Sequence, residues 1–409
     1  MRILWLDFLL ALRNIVRQKR RSAIALGSIV FGIVALVLAS GFIEFISWDF
    51  RESTIKSHLG HLQIVRPDYH AEGKANPNAF LLPDTIPEFD IPNEPPHITT
   101  ITPRLSFSGL ISYGESTLSF IGDGVDPEKQ AVFENELLIS SEENLSADNP
   151  MQIIIGTGLA RNLGVNVGDQ IVLLVNTVSG GINAIEVTIQ GLFSTVTKSY
   201  DDNALRLPIE TARQLLRTQG SHSWVILLAD TAQTDVILTQ LRNQLPPDKF
   251  EIVPWYELAD FYHKTMALFA KQVQAIKVII AFIILLSISN TMMISVMERI
   301  GEIGTIMALG VKRSGVIRLF LSEGILLGCI GGLLGLALSL LLAHIISDIG
   351  IPMPPPPGMS YGYTGEILVT QNIALESLIL VVSTTIIASF YPAWKASRMQ
   401  IVDALRHNR

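Results

Sequence analysis

Cysteine is all but missing from this 409-residue chain: Cys329 stands alone in an apolar run, which excludes an intrachain disulfide framework and a cysteine-built metal site. Charge is scarce as well, at 16% of residues, while 49% are apolar and the mean hydropathy is +0.40. A soluble protein of this length needs more polar surface, so lipid or a partner must cover the excess. Nor is there a basic excess. Lys and Arg number 30 against 37 Asp and Glu, and nucleic acid is not expected as a partner. The phosphate loop G-x-x-x-x-G-K-[S/T] is absent; the glycines of 156–169 (GTGLARNLGVNVGD) have no lysine to hold phosphates and read as turns around a short helix. No HExxH motif occurs, and no GxSxG sits in the strand-to-helix context of a nucleophile elbow. His58 and His61 read as exposed polar residues at a helix-to-strand boundary, and Asp201 and Asp202 as turn residues. No catalytic residue, cofactor or metal is therefore expected in this chain, and an ATP-driven cycle would need a separate polypeptide to bind the nucleotide.

Long apolar runs are what the chain has in quantity. Four of them, at residues 23–45, 278–297, 324–346 and 373–390, are poor in charge. The first would rise roughly 34 Å as a helix against a hydrocarbon core of about 30 Å. It is longer than the roughly 7–15 apolar residues of a cleaved signal peptide, so it is expected to stay on the protein. Arg13, Arg17, Lys19, Arg20 and Arg21 precede it, Lys312, Arg313 and Arg318 separate spans two and three, and Lys395, Arg398, Arg406 and Arg409 follow span four. By the positive-inside rule both termini face the cytoplasm. Residues 45–268 carry 14 basic and 28 acidic side chains, a net of −14, against +7 for the rest, and the acidic block is read as the translocated one.

The expected organisation is a cytoplasmic amphipathic helix at 1–22, transmembrane helices at 23–45, 269–297, 319–346 and 372–392, and an extracytoplasmic domain at 46–268. A cytoplasmic segment at 298–318, a Pro-rich extracytoplasmic loop at 347–371 and a cytoplasmic tail at 393–409 complete it. Glu376, inside the fourth span, is the one acidic residue placed for a proton pathway, and spans one to three supply it no partner at mid-depth.

Within 46–268 the pattern is α+β with a β-rich portion set inside it. Residues 61–65 read as a strand, 67–96 as a Pro- and Asn-rich loop, and 101–125 as several short strands. Ile171 to Val175, a turn at 179–181, and Ile185, Val187 and Ile189 alternating with polar residues argue for a hairpin with one wet face. Residues 224–228, a helical repeat of Ile237, Leu238, Leu241 and Leu245, and 250–253 form a βαβ-like unit.

The segment between spans two and three, 297–324 (MERIGEIGTIMALGVKRSGVIRLFLSEG), is the most informative about function. Ile300, Ile303 and Met307 fall on one helical face, and Glu298 and Glu302 on another, with Arg299 in reach of Glu302 at i,i+3. A short amphipathic helix here can dock on a cytoplasmic partner and pass on its motion, or rest on lipid headgroups. In span three, Gly324, Gly328 and Gly332 recur every fourth residue, as do Gly331 and Gly335. That spacing lets helices approach closely, either within the chain or across a dimer interface, and both readings stay open.

Asn290, Ser295-Val296, Glu298-Arg299, Glu302-Ile303-Gly304, Ala308-Leu309-Gly310, Phe320 and Glu323-Gly324 resemble the signature of FtsX/MacB-type ABC transporter permeases. The start (11–22, ALRNIVRQKRRS) and the end (Tyr391-Pro392-Ala393, Ala396 and Ala404-Leu405-Arg406) look like theirs, with Ile401 standing where the family commonly has proline. Length, the missing ATPase, and the stretches 122–130 and 155–169 are most similar to the lipoprotein-releasing LolC/LolE-type permeases; the Pro-rich loop 353–363 is not a feature of those. The resemblance implies a four-helix membrane protein with an α+β periplasmic domain, the MacB-type, type VII ABC permease architecture, in the bacterial inner membrane. It implies a partner ABC ATPase dimer that holds the ATP and Mg, and a second permease subunit, identical or different. Glu298, Arg299, Glu302, Ile303, Gly304, Ala308 and Gly310 would form the segment that couples ATP-driven closure to the periplasmic domain (mechanotransmission). Lipoprotein or other amphipathic cargo is the expected load. Control of a periplasmic cell-wall hydrolase, or drug or peptide efflux, are the alternatives.

Overall fold

A computed structural model describes residues 2–73, 77–83, 86–87, 98–129, 138–139, 145–146, 149–195, 197–355 and 362–399. Residues 356–361 of the Pro-rich loop and the tail motif at Ala404-Leu405-Arg406 lie outside these residues, as does Gln130. The chain divides into two compact units: Met1–Ser47, Met266–Ile351 and Thr364–Arg409 form one, and Trp48–Thr265 with Pro352–Tyr363 form the other.

In chain order the elements begin with α1 (Arg2–Arg17) and α2 (Lys19–Thr54), which ends in a π-turn at Ile55–Leu59. There follow β1 (Leu62–Val65), α3 (Tyr69–Glu72), β2 (Ile98–Tyr113), β3 (Ser116–Val125), β4 (Leu138–Ile139), β5 (Gln152–Gly156), α4 (Thr157–Leu163), β6 (Gln170–Asn176) and β7 (Ile182–Ser194). Next come α5 (Lys198–Asp201), β8 (Ala204–Pro208), α6 (Ile209–Leu216), β9 (Ser223–Leu228), α7 (Thr234–Gln244), β10 (Glu251–Pro254) and α8 (Trp255–Leu258). The remainder is α9 (Asp260–Glu298), α10 (Ile300–Ala308), α11 (Arg313–Ile349), the short strands β11 (Ile351–Met353) and β12 (Tyr363–Gly365), and α12 (Gln371–Ser397).

Four helices are long and apolar enough to cross a membrane, namely Lys19–Leu59, Asp260–Glu298, Arg313–Ile349 and Gln371–Ser397. Continuous helix is what a bilayer demands, because a backbone amide left open in hydrocarbon has no water to bond. Ile280, Ile284, Ile288, Met292 and Val296 recur every fourth residue of α9 and are buried against Ile29, Ile33 and Val37 of α2 and Phe320 of α11. Their opposite faces carry exposed Phe31, Val278, Phe282, Leu286 and Leu333, the lipid-facing side. Helix α12 opens with the Thr370 hydroxyl accepting from the Ile373 amide at 3.3 Å. Helix α11 begins at Arg313, so residues 313–318, expected in the segment between spans, are continuous with the third span.

The second unit is built on a mixed sheet. Strand β1 lies between β10 and β9 and runs antiparallel to both, so β9, α7 and β10 form a βαβ crossover split by β1. Strand β2 is shared. Its first half pairs with β9, its second half with β6 on the same edge, and its other edge pairs with β3. The order β2-β3-β8-β5-β7-β6 then returns to β2, so six strands close on themselves. This ring is the β-rich portion, filled by Leu105, Phe107, Phe120, Ile155, Leu173, Val187 and Leu207. The wet-faced hairpin is β6–β7, with Ile171, Leu173 and Val175 inward. The stretch 101–125 is two long strands rather than several short ones, reversing at Gly114, whose φ is +58°.

Candidate coupling site and an internal charged cluster

The motif residues between spans two and three occupy a helix–turn–helix corner. Glu298 is the last residue of α9, Arg299 the joint, and Ile300–Ala308 the helix α10. Ile303 and Gly304 are buried, while Glu302, Ala308, Leu309 and Gly310 face outward. Gly310 has φ +92°, a conformation that a residue with Cβ resists. Arg299 is the hub of the corner. Its Nε donates to Glu302 at 3.1 Å, Nη1 to the buried Glu323 of α11 at 3.5 Å, and its guanidinium lies 5.7 Å over the Phe320 ring.

The N-terminal helix supplies the rest of the frame, and sequence reasoning did not see it. Arg17 reaches Glu302 at 3.0 Å, Arg21 forms a two-pronged pair with Glu298, and the Ser295 hydroxyl donates to Gln18 at 3.2 Å. Arg21 and Glu298 are 277 residues apart, beyond any local spacing rule. The exposed Arg17–Glu302 pair contributes little, of order 0–1 kcal/mol. Breaking the buried Arg299–Glu323 pair would cost more, about 3–5 kcal/mol, because one charge would be left uncompensated.

All five glycines of span three face helices of the same chain. A Cβ at Gly324 or Gly328 would collide with Ser389 or Thr385 of α12, one at Gly332 would meet Leu378 at 3.0 Å, and Cβ atoms at Gly331 and Gly335 would meet Ile29 at 2.7 Å and Ile33 at 2.9 Å in α2. Leucine at Gly331 should therefore lower the stability of the helix bundle by about 1–3 kcal/mol, read as a fall in the melting temperature of the detergent-solubilised chain. An unchanged melt would show that α2 does not pack there. Glu376 has a partner at the edge of the spans: Lys277 of α9, just before the apolar run 278–297, pairs with it at 2.6 Å.

The α/β unit carries a second constellation on the outer face of its closed ring. Register aligns Ser106 of β2, Asp123 of β3 and Arg206 of β8 in one row, with Arg104 two residues from Ser106 on the same face. His58 of the π-turn and Tyr200 of α5 close over them. The Asp123 carboxylate accepts from the Ser106 hydroxyl at 2.6 Å and the Tyr200 hydroxyl at 2.8 Å. Burial raises the Asp123 pKa, but Arg104 and the hydrogen bonds from Ser106 and Tyr200 outweigh it and hold the group below its ordinary value. Arg104 donates to the His58 carbonyl, and Arg206 to the Ser57 carbonyl at 2.6 Å with its guanidinium 4.9 Å over Phe193.

Three sequence expectations change here, and the turn position of Asp202 holds. His61 is buried, not exposed, and His58 shows only a third of its side chain. The two enter different networks, so they are not a ligand pair. Asp201 is buried and accepts from the Thr195 amide and hydroxyl, at 3.0 and 2.7 Å, while Asp202 pairs with Lys198 at 2.6 Å.

His61 accepts the Leu228 amide on Nδ1 at 3.0 Å, which leaves its Nε2 proton to donate to Thr231 at 2.9 Å; Thr231 in turn donates to Glu52 at 2.9 Å. Protonation would aim a second N–H at the Leu228 N–H. Burial, then the Lys56 and Arg51 charges, lower its pKa to about 4, and burial lowers His222 to about 4 as well. An unfolded histidine takes its proton near 6.5 and these folded ones only near 4, so the folded unit loses stability as pH falls through that window. The expected slope is about 1.4 kcal/mol per pH unit for each histidine. Amide-exchange protection of β1 and β9 in the full chain should drop from pH 7 to pH 5, and equal protection at both would refute the assignment.

Four membrane-crossing helices with a mixed α/β unit between the first and second define a permease of the type VII ABC architecture. Residues 22–244 match the MacB-like periplasmic core domain and residues 275–401 the FtsX-like permease C-terminal region, and the chain belongs to this family of permeases. It is 24% identical over 265 residues to an uncharacterized ABC transporter permease of Methanocaldococcus jannaschii, covering 62% of this chain and 61% of that one. It is 23% identical over 325 residues to the macrolide export ATP-binding/permease protein MacB of Psychrobacter cryohalolentis, covering 76% and 46%. With the lipoprotein-releasing system transmembrane protein LolC of Xylella fastidiosa the identity is 25% over 337 residues, covering 76% and 78%. The chain thus spans less than two thirds of the length of the first two relatives.

Proposed function

We propose that this chain is the transmembrane subunit of an ABC transporter, gripped at α10 by a separate ATPase dimer whose ATP-driven closure moves the α/β unit. The observation that carries it is the two-sided build of α10. The inner side is fixed by Ile303 and Gly304 with Arg299 as the hub; the outer side presents Glu302, held by Arg17, beside Thr305 and, at the tip, Leu309, 81% exposed. A large apolar residue held out on a braced corner suits insertion into a groove of a partner protein. Both termini and α10 then lie in the cytoplasm, the α/β unit lies outside the inner membrane, and a second permease completes the pair. Similarity to a lipoprotein-releasing protein favours lipidated or amphipathic cargo over control of a cell-wall hydrolase. A photoreactive amino acid at Leu309 should cross-link to an ATP-hydrolysing chain, with a yield that changes when ATP is added. Adducts with lipid alone would overturn the reading.

A further inference from the structure

The break between α1 and α2 gathers four cations in five residues, Arg17, Lys19, Arg20 and Arg21, around a recess of about 350 Å³ closed on one side by Glu298. Arg17 and Arg21 are engaged by Glu302 and Glu298 of the α10 corner. Lys19 and Arg20 are exposed and have no ion-pair partner among the described residues. Charge around the recess is therefore not balanced by the chain.

Helix α1 shows what lies next to it. At about 100° per residue, Phe8, Leu9, Leu12 and Val16 fall within an arc of about 100°, and all four are exposed. Ala11 and Ile15, on the adjoining arc, are buried in the helix bundle, and Arg13 and Arg17 border the exposed arc on its other side. A helix with one face on the bundle, one apolar face unpaired and a cationic edge is built to lie in a membrane interface. The apolar run of the first span begins at Ala23, directly after Arg21 and Ser22, which places the cations at headgroup level.

We propose that this hinge is a binding site for anionic phospholipid. Lys19 and Arg20 hold the headgroup phosphate while Phe8, Leu9, Leu12 and Val16 enter the acyl boundary. The phosphate also competes with Glu298 and Glu302 for Arg21 and Arg17. Lipid composition then sets how tightly α10 is clamped. The inference deepens the coupling reading, but its binding step needs no ATPase and stands or falls separately.

The test uses the full chain in nanodiscs of phosphatidylglycerol or of phosphatidylcholine. Native mass spectrometry should show preferential retention of phosphatidylglycerol, and Lys19→Gln with Arg20→Gln should reduce that preference about 30-fold, roughly fivefold for each cation. Amides of Ile300–Ala308 should exchange faster in phosphatidylglycerol than in phosphatidylcholine, and the double variant should lose the difference. Inorganic phosphate added to phosphatidylcholine discs should leave exchange unchanged. No preference in the natural chain, or a preference that survives the double variant, overturns the site. Equal exchange in both lipids overturns the competition, and an effect of inorganic phosphate equal to that of lipid overturns the commitment to a membrane ligand. A fold lost in the double variant would show as changed exchange throughout α2 and α9, and Arg20→Gln alone, expected to lose about fivefold, then decides.

Discussion

With Thr305 changed to arginine and Leu309 to aspartate, ATP turnover by the complex of this chain with its ATPase should fall about 30-fold or more at fixed subunit concentrations, while the chain's own melting temperature stays put. Both residues are exposed on the outward side of α10, and among the described residues the Thr305 hydroxyl bonds only back to the Gly301 carbonyl, at 2.8 Å. Among the described residues, neither belongs to the packed core of the bundle. Arginine is also a better helix former than threonine, so α10 itself should persist. An apolar anchor at the centre of a protein interface typically contributes 2 kcal/mol or more, which is the expected 30-fold. The residues on the inner side make the contrast. Arg299→Gln should unfold the corner by orphaning Glu323, and any turnover lost there cannot be assigned to docking. Full turnover in the Thr305 and Leu309 variant would mean that the ATPase grips some other part of the chain.

The helical half of this architecture was legible because lipid imposes a simple rule. A span needs an unbroken apolar run of sufficient length, and all four runs are plain in the sequence. The β6–β7 hairpin was legible for a similar reason, its alternation marking one dry and one wet face. The Arg299–Glu302 pair followed from an i,i+3 spacing. What sequence reading lost was everything set by long-range closure. The two partnerships of β2, with β9 and then β6, make the ring, and no local pattern states them. Once the ring is closed, Ser106, Asp123 and Arg206 come into line and residues that looked like ordinary strand polars become a buried cluster. Arg17 and Arg21 looked like positive-inside flanks, which they are, and their second role as clamps on Glu302 and Glu298 depends on how α1 folds back. His61 was misplaced at the surface because a short apolar strand gives no hint that it lies between two others, β9 and β10.

Asparagine in place of Asp123 should cost the α/β unit about 3–5 kcal/mol, the largest loss expected from any single substitution there. The buried Arg104 guanidinium is balanced by this carboxylate, and the buried Arg206 is aligned with it across the β3–β8 register. Among the described residues, Nε and Nη2 of Arg104 and Nε and Nη1 of Arg206 have no hydrogen-bond partner, so their charge is held mainly by Asp123 and by the carbonyls of His58 and Ser57. His58 cannot relieve the repulsion: burial, then Arg104, lowers its pKa to about 3, so it stays neutral. Removing the negative charge leaves two like charges side by side in a low-dielectric wall. A cycle separates charge from packing. The double variant Arg104→Met with Asp123→Leu removes one charge of each sign and returns the number of uncompensated guanidinium groups to that of the natural chain. It should lie closer to the natural chain than Asp123→Asn does, as apolar replacements of buried pairs often do. Denaturant unfolding of the full chain, followed by amide exchange in β2, β3 and β8, gives both numbers. If Asp123→Asn falls within about 1 kcal/mol of the natural chain, the typical effect of an ordinary substitution, the carboxylate is not what holds the two arginines inside.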